Sequence, residues 1–104
     1  MTATLIVQPE AEADLNEAFR WYEARREGLG QEFLGEVSLT LARITERPLR
    51  YTLVYREARR ALLRRFPYVV LYVAREERVF VLAVLHQRRN PRLAEARARG
   101  FKVE

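Results

Sequence analysis

The amino-acid sequence predicts an α+β domain in which an N-terminal helical hairpin packs on one face of an antiparallel sheet. Three observations predict it. A short β-rich run opens the chain, two stretches with the period of a helix follow, and from Tyr51 the pattern changes to short runs rich in Tyr, Val, Leu and Phe. The predicted order is β-α-α-β-β-β(-β), where the bracket marks a fourth strand after the hairpin.

The first strand is short and ends at a proline. Residues 4–8 read TLIVQ, and Pro9 can occupy the first turn of a helix. In the stretch that follows, apolar residues recur at i, i+3, i+4 and i+7, as Leu15, Ala18, Phe19 and Tyr22. Acidic residues lie mainly in its first half and arginines in its second half, which complements the dipole of a helix.

A second helix follows a short connection. Residues 27–30, Glu-Gly-Leu-Gly, contain two glycines that permit the chain to reverse direction. Residues 31–46 then carry an apolar stripe, and Pro48 stops the helix. Because the connection is short, the two helices are predicted to form an antiparallel hairpin.

Four predicted strands and a brief helix complete the chain. The strands are residues 51–56, 59–66, 68–75 and 78–88, and only Glu76 and Glu77 separate the last two, which predicts a β-hairpin. The tail from Pro91 can form a short helix before Gly100.

The last two strands are apolar on both alternating sets of positions. Val69, Leu71 and Val73 alternate with Val70 and Tyr72. Two helices can cover only one face of a sheet, so the other face must be covered by chain termini, by curvature of the sheet or by another protein. We therefore expect a partner.

Length and composition exclude several classes of protein. The 104 residues correspond to a single domain, 1–104. The chain has no Cys and one His, so disulfide frameworks, thiolate metal sites and multi-histidine metal sites are excluded, and we expect neither a metal nor a cofactor. The longest apolar stretches fall far short of the ~20 residues of a membrane span, and the N-terminus lacks the features of a secretory signal. We expect a cytoplasmic protein that does not bind membranes.

Charge is distributed unevenly along the chain. The formal net charge is +5, from 19 basic and 14 acidic residues. The first fifty residues hold 6 Arg and 9 acidic residues, whereas residues 51–104 hold 13 basic and 5 acidic residues. A basic half within one domain suggests a face that meets a polyanion or an acidic protein.

One group of basic residues is a candidate site. His86 and Arg88 share one face of the last predicted strand, and Arg89 and Arg92 follow. An adjacent antiparallel strand could bring the arginines of residues 59–65 close to them. Guanidinium groups beside an imidazole could bind phosphate or assist acid–base chemistry on RNA. The alternative is that the arginines merely protect an edge strand from aggregation.

Familiar catalytic motifs are missing. The chain has no phosphate-binding glycine loop, dinucleotide fingerprint, zinc-protease motif or nucleophile elbow, and its one serine, Ser38, lies within the second predicted helix. Trp21 is interpreted as a packing anchor, and Tyr22, Tyr68 and Tyr72 as core residues whose hydroxyls reach the surface.

An ordered set of short motifs resembles a known family. The motifs are Trp21-Tyr22-Glu23, Gly28-Leu29-Gly30 with Phe33-Leu34, Pro48, Arg59-Arg60, Phe66-Pro67-Tyr68 with Tyr72, and His86 through Arg89-Asn90-Pro91. Together they resemble the RelE/ParE toxin superfamily of type II toxin–antitoxin systems, and the ParE, or plasmid stabilisation, branch is the closer match. The resemblance covers about residues 5–97.

The resemblance implies a toxin with the topology predicted above, neutralised by a cognate antitoxin with an acidic, partly disordered C-terminal segment. ParE-like toxins are thought to act on DNA gyrase. On this interpretation the antitoxin contacts Trp21, Tyr22, Tyr68 and Tyr72. The residues assigned to target binding are Arg59, Arg60, Arg65, His86, Arg88, Arg89 and Arg92.

The RelE branch supplies the alternative function, a ribosome-dependent endoribonuclease that cuts mRNA. That branch typically carries basic residues along its central strands, whereas residues 68–74 here carry no charge. His86, Arg88 and Arg60 would form the catalytic set if the protein were a nuclease. A third alternative is a family member without activity.

Overall fold

The computed structural model describes residues 2–88 and 91–102, and it confirms the α+β fold with the helical hairpin preceding the strands. The elements are β1 (Thr4–Val7), α1 (Pro9–Arg25), α2 (Leu29–Glu46), β2 (Thr52–Tyr55), β3 (Ala58–Leu62), β4 (Tyr68–Arg75), β5 (Arg78–His86) and α3 (Pro91–Gly100). None of the helices within the described ranges is long and apolar enough to cross a membrane.

The five strands form one sheet in the order β1-β5-β4-β3-β2. Neighbours from β2 to β5 are antiparallel, as predicted, but β1 pairs with β5 in parallel, with Thr4 opposite Arg78 and Val7 opposite Val81. The prediction of a wholly antiparallel sheet is therefore wrong for this one strand. Its orientation depends on a pairing with residues more than seventy positions away, which a local alternation pattern does not specify.

The helical hairpin covers one face of the sheet and forms the larger core. Ala18 and Tyr22 of α1 and Phe33 and Val37 of α2 pack on alternate residues of β4 and β5, among them Val70. Aromatic rings dominate one end of this core, where the ring centroids of Tyr22 and Phe33 lie 5.2 Å apart. Tilted and edge-to-face pairs of this kind stabilise a core beyond the area that they bury.

The second face of the sheet is covered by the chain itself. Leu93, Ala94 and Ala98 of α3, together with Phe101, pack on a second cluster that includes Leu71 of β4. Of the three covers considered for this face, a chain terminus is the one observed. The apolar alternation of β4 and β5 is thus no evidence for a partner.

A β-bulge in β5 changes which side chains face the helices. Leu71 pairs with Ala83, but Tyr72 pairs with Val81, so Leu82 is an extra residue. One extra residue inverts the alternation beyond it, and Ala83 consequently joins Leu82 in the cluster under α3. His86 thereby lies on the face of the helical hairpin, with its ring centroid 5.4 Å from that of Tyr68.

Two strands end earlier than predicted. β3 ends at Leu62, so Arg64 and Arg65 lie in the connection to β4 and not on a strand. β5 ends at His86, and the chain turns there because the backbone N–H of Arg88 donates to Nδ1 of His86 at 3.1 Å. The prediction that His86 and Arg88 share a strand face is therefore wrong.

The connection between α1 and α2 is held by a carboxylate from α1. Glu23 accepts hydrogen bonds from the backbone N–H groups of Gly28 and Gly30, each at 2.8 Å. Gly28 has a φ of 91°, a conformation that favours glycine. Glu23 thus satisfies N–H groups at the start of α2 that have no partner within the helix.

Candidate functional site

A groove lies between α1 and the adjoining ends of β4 and β5. It encloses ≈ 610 Å³. Ala18 and Trp21 line it from α1, Tyr68 and His86 from the strands, and Leu93 from α3. A groove of this size with a mainly apolar lining and a few polar groups suits an amphipathic segment of a partner.

Trp21 is the exposed anchor of this groove. Its side chain is 51% exposed, yet two contacts hold its position: the Tyr22 ring lies perpendicular to it with the ring centroids 5.1 Å apart, and the Arg25 guanidinium lies 4.1 Å from its ring centroid. Tyr22 lies behind it, and burial, followed by the nearby Tyr68, raises the pKa of the Tyr22 hydroxyl. Tyr22 therefore stays neutral at physiological pH. A large aromatic surface held in place loses little entropy when a partner covers it.

Tyr72 is the fourth residue assigned to the antitoxin, and it does not line the groove. It is 0% exposed, so it offers no surface to a partner. Its hydroxyl donates a 2.6 Å hydrogen bond to the carbonyl of Pro48, and burial raises its pKa to about 12. Tyr72 thus holds the connection between α2 and β2 from beneath.

An ion pair closes the end of the sheet beside the groove. β1 pairs with β5 only as far as Val81, so the next part of β5 has β4 on one side and no strand on the other. Asp14 of α1 accepts the backbone N–H of Val84 at 3.0 Å, and Arg97 of α3 donates to the carbonyl of Leu82 at 2.8 Å. These two side chains take the place of a strand.

Asp14 and Arg97 also bind each other. Arg97 donates from both terminal nitrogens to the two oxygens of Asp14, at 2.9 and 3.0 Å, and these hydrogen bonds raise the pKa of Arg97 further. The Asp14 and Arg97 side chains are 11% and 19% exposed. We call this pair the Asp14–Arg97 clamp. It joins the helices on opposite faces of the sheet, and the sequence carries no local signal for it.

The structure separates the basic residues assigned to the target. β4 lies between β3 and β5, so Arg59 and Arg60 are two strand spacings, about 10 Å, from the line of β5. Arg60 also pairs with Leu71, on the face of α3, whereas His86 lies on the face of the hairpin. The predicted juxtaposition of Arg60 with His86 is therefore wrong, because β4 lies between their strands and the two side chains face opposite sides of the sheet.

The other members of the set are dispersed. Arg65 forms an ion pair with Glu32 of α2 at 3.0 Å. Arg59 donates to the carbonyls of Leu49 and Tyr51, at 3.1 and 2.6 Å. Arg88 is exposed in the turn after β5, and Arg92 is exposed on α3. Arg89 lies outside the described residues.

The geometry of His86 limits its chemistry. Its Nδ1 accepts the N–H of Arg88, so the neutral ring carries its proton on Nε2. A neutral His86 ring can therefore donate a hydrogen bond from Nε2.

Comparison with known proteins gives consistent matches over most or all of the chain. Residues 5–91 match the family described as "ParE toxin of type II toxin-antitoxin system, parDE". The chain is 33% identical over 105 residues to proteins named "Toxin ParE2" from two strains of Mycobacterium tuberculosis, CDC 1551 / Oshkosh and H37Rv, and each match covers 100% of both chains.

A solved structure has the same fold. It is titled "Chromosomal ParDE TA system from P. aeruginosa" and superposes with a TM-score of 0.72 at 13% sequence identity, covering 82% of this chain and 96% of that one. At this identity the likeness is evidence for the fold alone.

Proposed function

The chain belongs to the ParE family of toxins of type II toxin–antitoxin systems, and from this premise we propose that it arrests growth by binding DNA gyrase in the cytoplasm until an antitoxin neutralises it. One observation favours a binding function over a nuclease function: the basic residues assigned to target binding are dispersed over the structure. No described part of the chain gathers His86, Arg60 and a second arginine around one point where a phosphate could react.

The antitoxin is proposed to occupy the groove beside Trp21. Trp21, Tyr22 and Tyr68 supply its apolar contacts, and an exposed tryptophan between Arg20 and Arg25 suits a segment that carries both apolar and acidic residues. A disordered segment gains its affinity from such apolar anchors when it folds on the toxin, while the arginines speed and orient the encounter. The solved structure with the same fold, titled as a ParDE TA system, is consistent with this type of partner.

Removal of the groove anchor tests this binding site. We expect Trp21→Ala to weaken binding of the antitoxin's C-terminal segment at least ~30-fold, because a central tryptophan typically contributes ~2 kcal/mol or more to an interface. Calorimetric titration of the purified toxin measures the loss. Leu39→Ala is the matched control, since Leu39 is similarly exposed and is not among the residues that line the groove. Equal affinities for the two variants would exclude the groove.

The target is tested by two assays on one set of proteins. We expect the wild-type toxin to inhibit supercoiling by purified gyrase and to produce no codon-linked cuts in translated mRNA. His86→Gln should retain most of the toxicity, because a binding toxin uses the imidazole at most for contact. A ribonuclease that uses His86 as its acid would lose on the order of 10²-fold in rate. Cuts within the codon in the ribosomal A site, lost in His86→Gln, would establish the RelE-like alternative.

A further inference from the structure

A second surface combines exposed leucines with arginines, at the sheet edge farthest from the groove. It is formed by the turn after α2, by β2 and by the turn that follows β2. We call it the β2 edge surface, and its members are Arg47, Leu49, Arg50, Leu53 and Arg56.

The turn that contains Leu49 is fixed by hydrogen bonds from side chains of the sheet. The carbonyl of Pro48 accepts from the buried Tyr72 hydroxyl, and the carbonyls of Leu49 and Tyr51 both accept from Arg59. Side chains of β3 and β4 therefore fix the backbone on both sides of Leu49. An arrangement fixed before binding costs less entropy when a partner arrives.

Leu49 is exposed in spite of this support. At 68% it is the most exposed of the large hydrophobic side chains in the described part of the chain, and Leu53 on β2 is 51% exposed. Scattered exposed leucines are ordinary in proteins. An exposed leucine whose surrounding backbone is fixed by three side-chain hydrogen bonds is instead typical of a residue that anchors an interface.

The positive charge of this surface is not compensated. Arg47, Arg50 and Arg56 form no ion pair within the described residues, whereas six other arginines do. Of the two acidic residues between positions 46 and 57, Glu57 is paired with Arg75, so this segment has three unpaired arginines and one other acidic residue, Glu46. An acidic partner is the electrostatic complement of this surface.

We propose that the β2 edge surface is where the toxin binds its target, and that it takes an acidic protein surface with apolar side chains that receive Leu49 and Leu53. This inference rests on the proposed function. A nucleic acid backbone would complement the arginines but would leave both leucines without a partner, and a second copy of the chain would oppose like charges.

The contact is made by side chains and not by an added strand. β2 has only four residues, and its register with β3 shifts between Leu53 and Tyr55. Short, irregular edge strands resist the addition of another strand. The surface lies at the β2 edge, whereas the groove lies beside the ends of β4 and β5, so the target and the groove segment of the antitoxin contact separate parts of the toxin.

The test compares two double variants of the full chain. Leu49→Ser with Arg50→Ala alters the β2 edge surface, and Leu39→Ser with Arg43→Ala is the matched control on α2. Affinity for purified DNA gyrase without DNA, affinity for bare duplex DNA, inhibition of supercoiling, affinity for the antitoxin and thermal melting are measured on each. We expect the edge variant to lose at least tenfold in gyrase affinity and inhibition, with its melting and its antitoxin affinity unchanged, while the control stays within about twofold of wild type.

Each other outcome overturns the inference in a distinct way. Equal gyrase affinities of edge and control variants exclude the surface. A loss confined to antitoxin binding assigns it to the antitoxin, and a loss confined to binding of bare duplex DNA assigns it to nucleic acid. A wild-type toxin that neither binds nor inhibits gyrase overturns the proposed function itself. Arg50→Glu, at an exposed position of the turn after α2, repeats the test if the double variant melts early.

Discussion

Replacing Asp14 by Ala is expected to lower the free energy of unfolding by about 3 kcal/mol, which corresponds to a fall in melting temperature of roughly 12–24 °C for a domain of this size. The substitution leaves the guanidinium of Arg97 largely buried without its carboxylate, and it leaves the N–H of Val84 without an acceptor. Breaking one side of a buried pair costs far more than an exposed pair contributes, because the remaining charge has lost its water as well as its partner.

The control for the clamp lies on the same helix. Glu12 is exposed on α1, and Glu12→Ala should change the stability by no more than about 0.5 kcal/mol. Hydrogen exchange gives a second measurement, since the Val84 amide should exchange faster in Asp14→Ala than in Glu12→Ala. A double-mutant cycle with Arg97→Ala isolates the energy of the pair. If Asp14→Ala is no less stable than Glu12→Ala, the clamp contributes nothing to the fold.

Gly30→Ala is expected to destabilise the domain by about 2–4 kcal/mol, from overpacking together with loss of the helix cap. A Cβ at Gly30 would lie 2.7 Å from two ring atoms of Phe19 and 2.8 Å from Oε1 of Glu23. The ring and the carboxylate would both have to move, and the carboxylate is the group that caps α2 through Gly28 and Gly30.

Gly35 provides a control of opposite sign on the same helix. Nothing lies within 4 Å of a Cβ placed there, and the residue is exposed within α2. Gly35→Ala should therefore stabilise the domain by about 0.5–1 kcal/mol, the difference in helix propensity. Thermal melts of the two variants measure both effects. Shifts of the same sign would show that the close approach at Gly30 imposes no constraint.

Local patterns were sufficient to predict most elements of the fold. The spacing of Leu15, Ala18 and Tyr22 predicts α1, and the apolar runs on either side of Glu76 predict the β4–β5 hairpin, both of which are confirmed. These elements are governed by contacts within one helix or between adjacent strands, which a periodic pattern encodes.

The candidate site was less predictable, because it depends on strand order and on a single extra residue. An alternation pattern does not specify the strand order, so it does not predict that β4 separates Arg60 from His86. It also does not predict the bulge at Leu82, which places His86 on the face of the helical hairpin. The roles of Tyr72 and Arg59 likewise depend on carbonyl groups of a turn that is remote in sequence. Trp21 and Tyr68, predicted as antitoxin contacts, do lie together in the groove, and their role stays a prediction.

The parallel pairing of β1 with β5 has a consequence for how the protein matures during synthesis. Residues 4–7 are made more than seventy positions before their partners at residues 78–81, and Asp14 is made 83 positions before Arg97. The helical hairpin can form early from contacts close in sequence, whereas β1 cannot pair until β5 has been made. A nascent chain therefore lacks the groove until β5 has been made, and it lacks the Asp14–Arg97 clamp until α3 has been made.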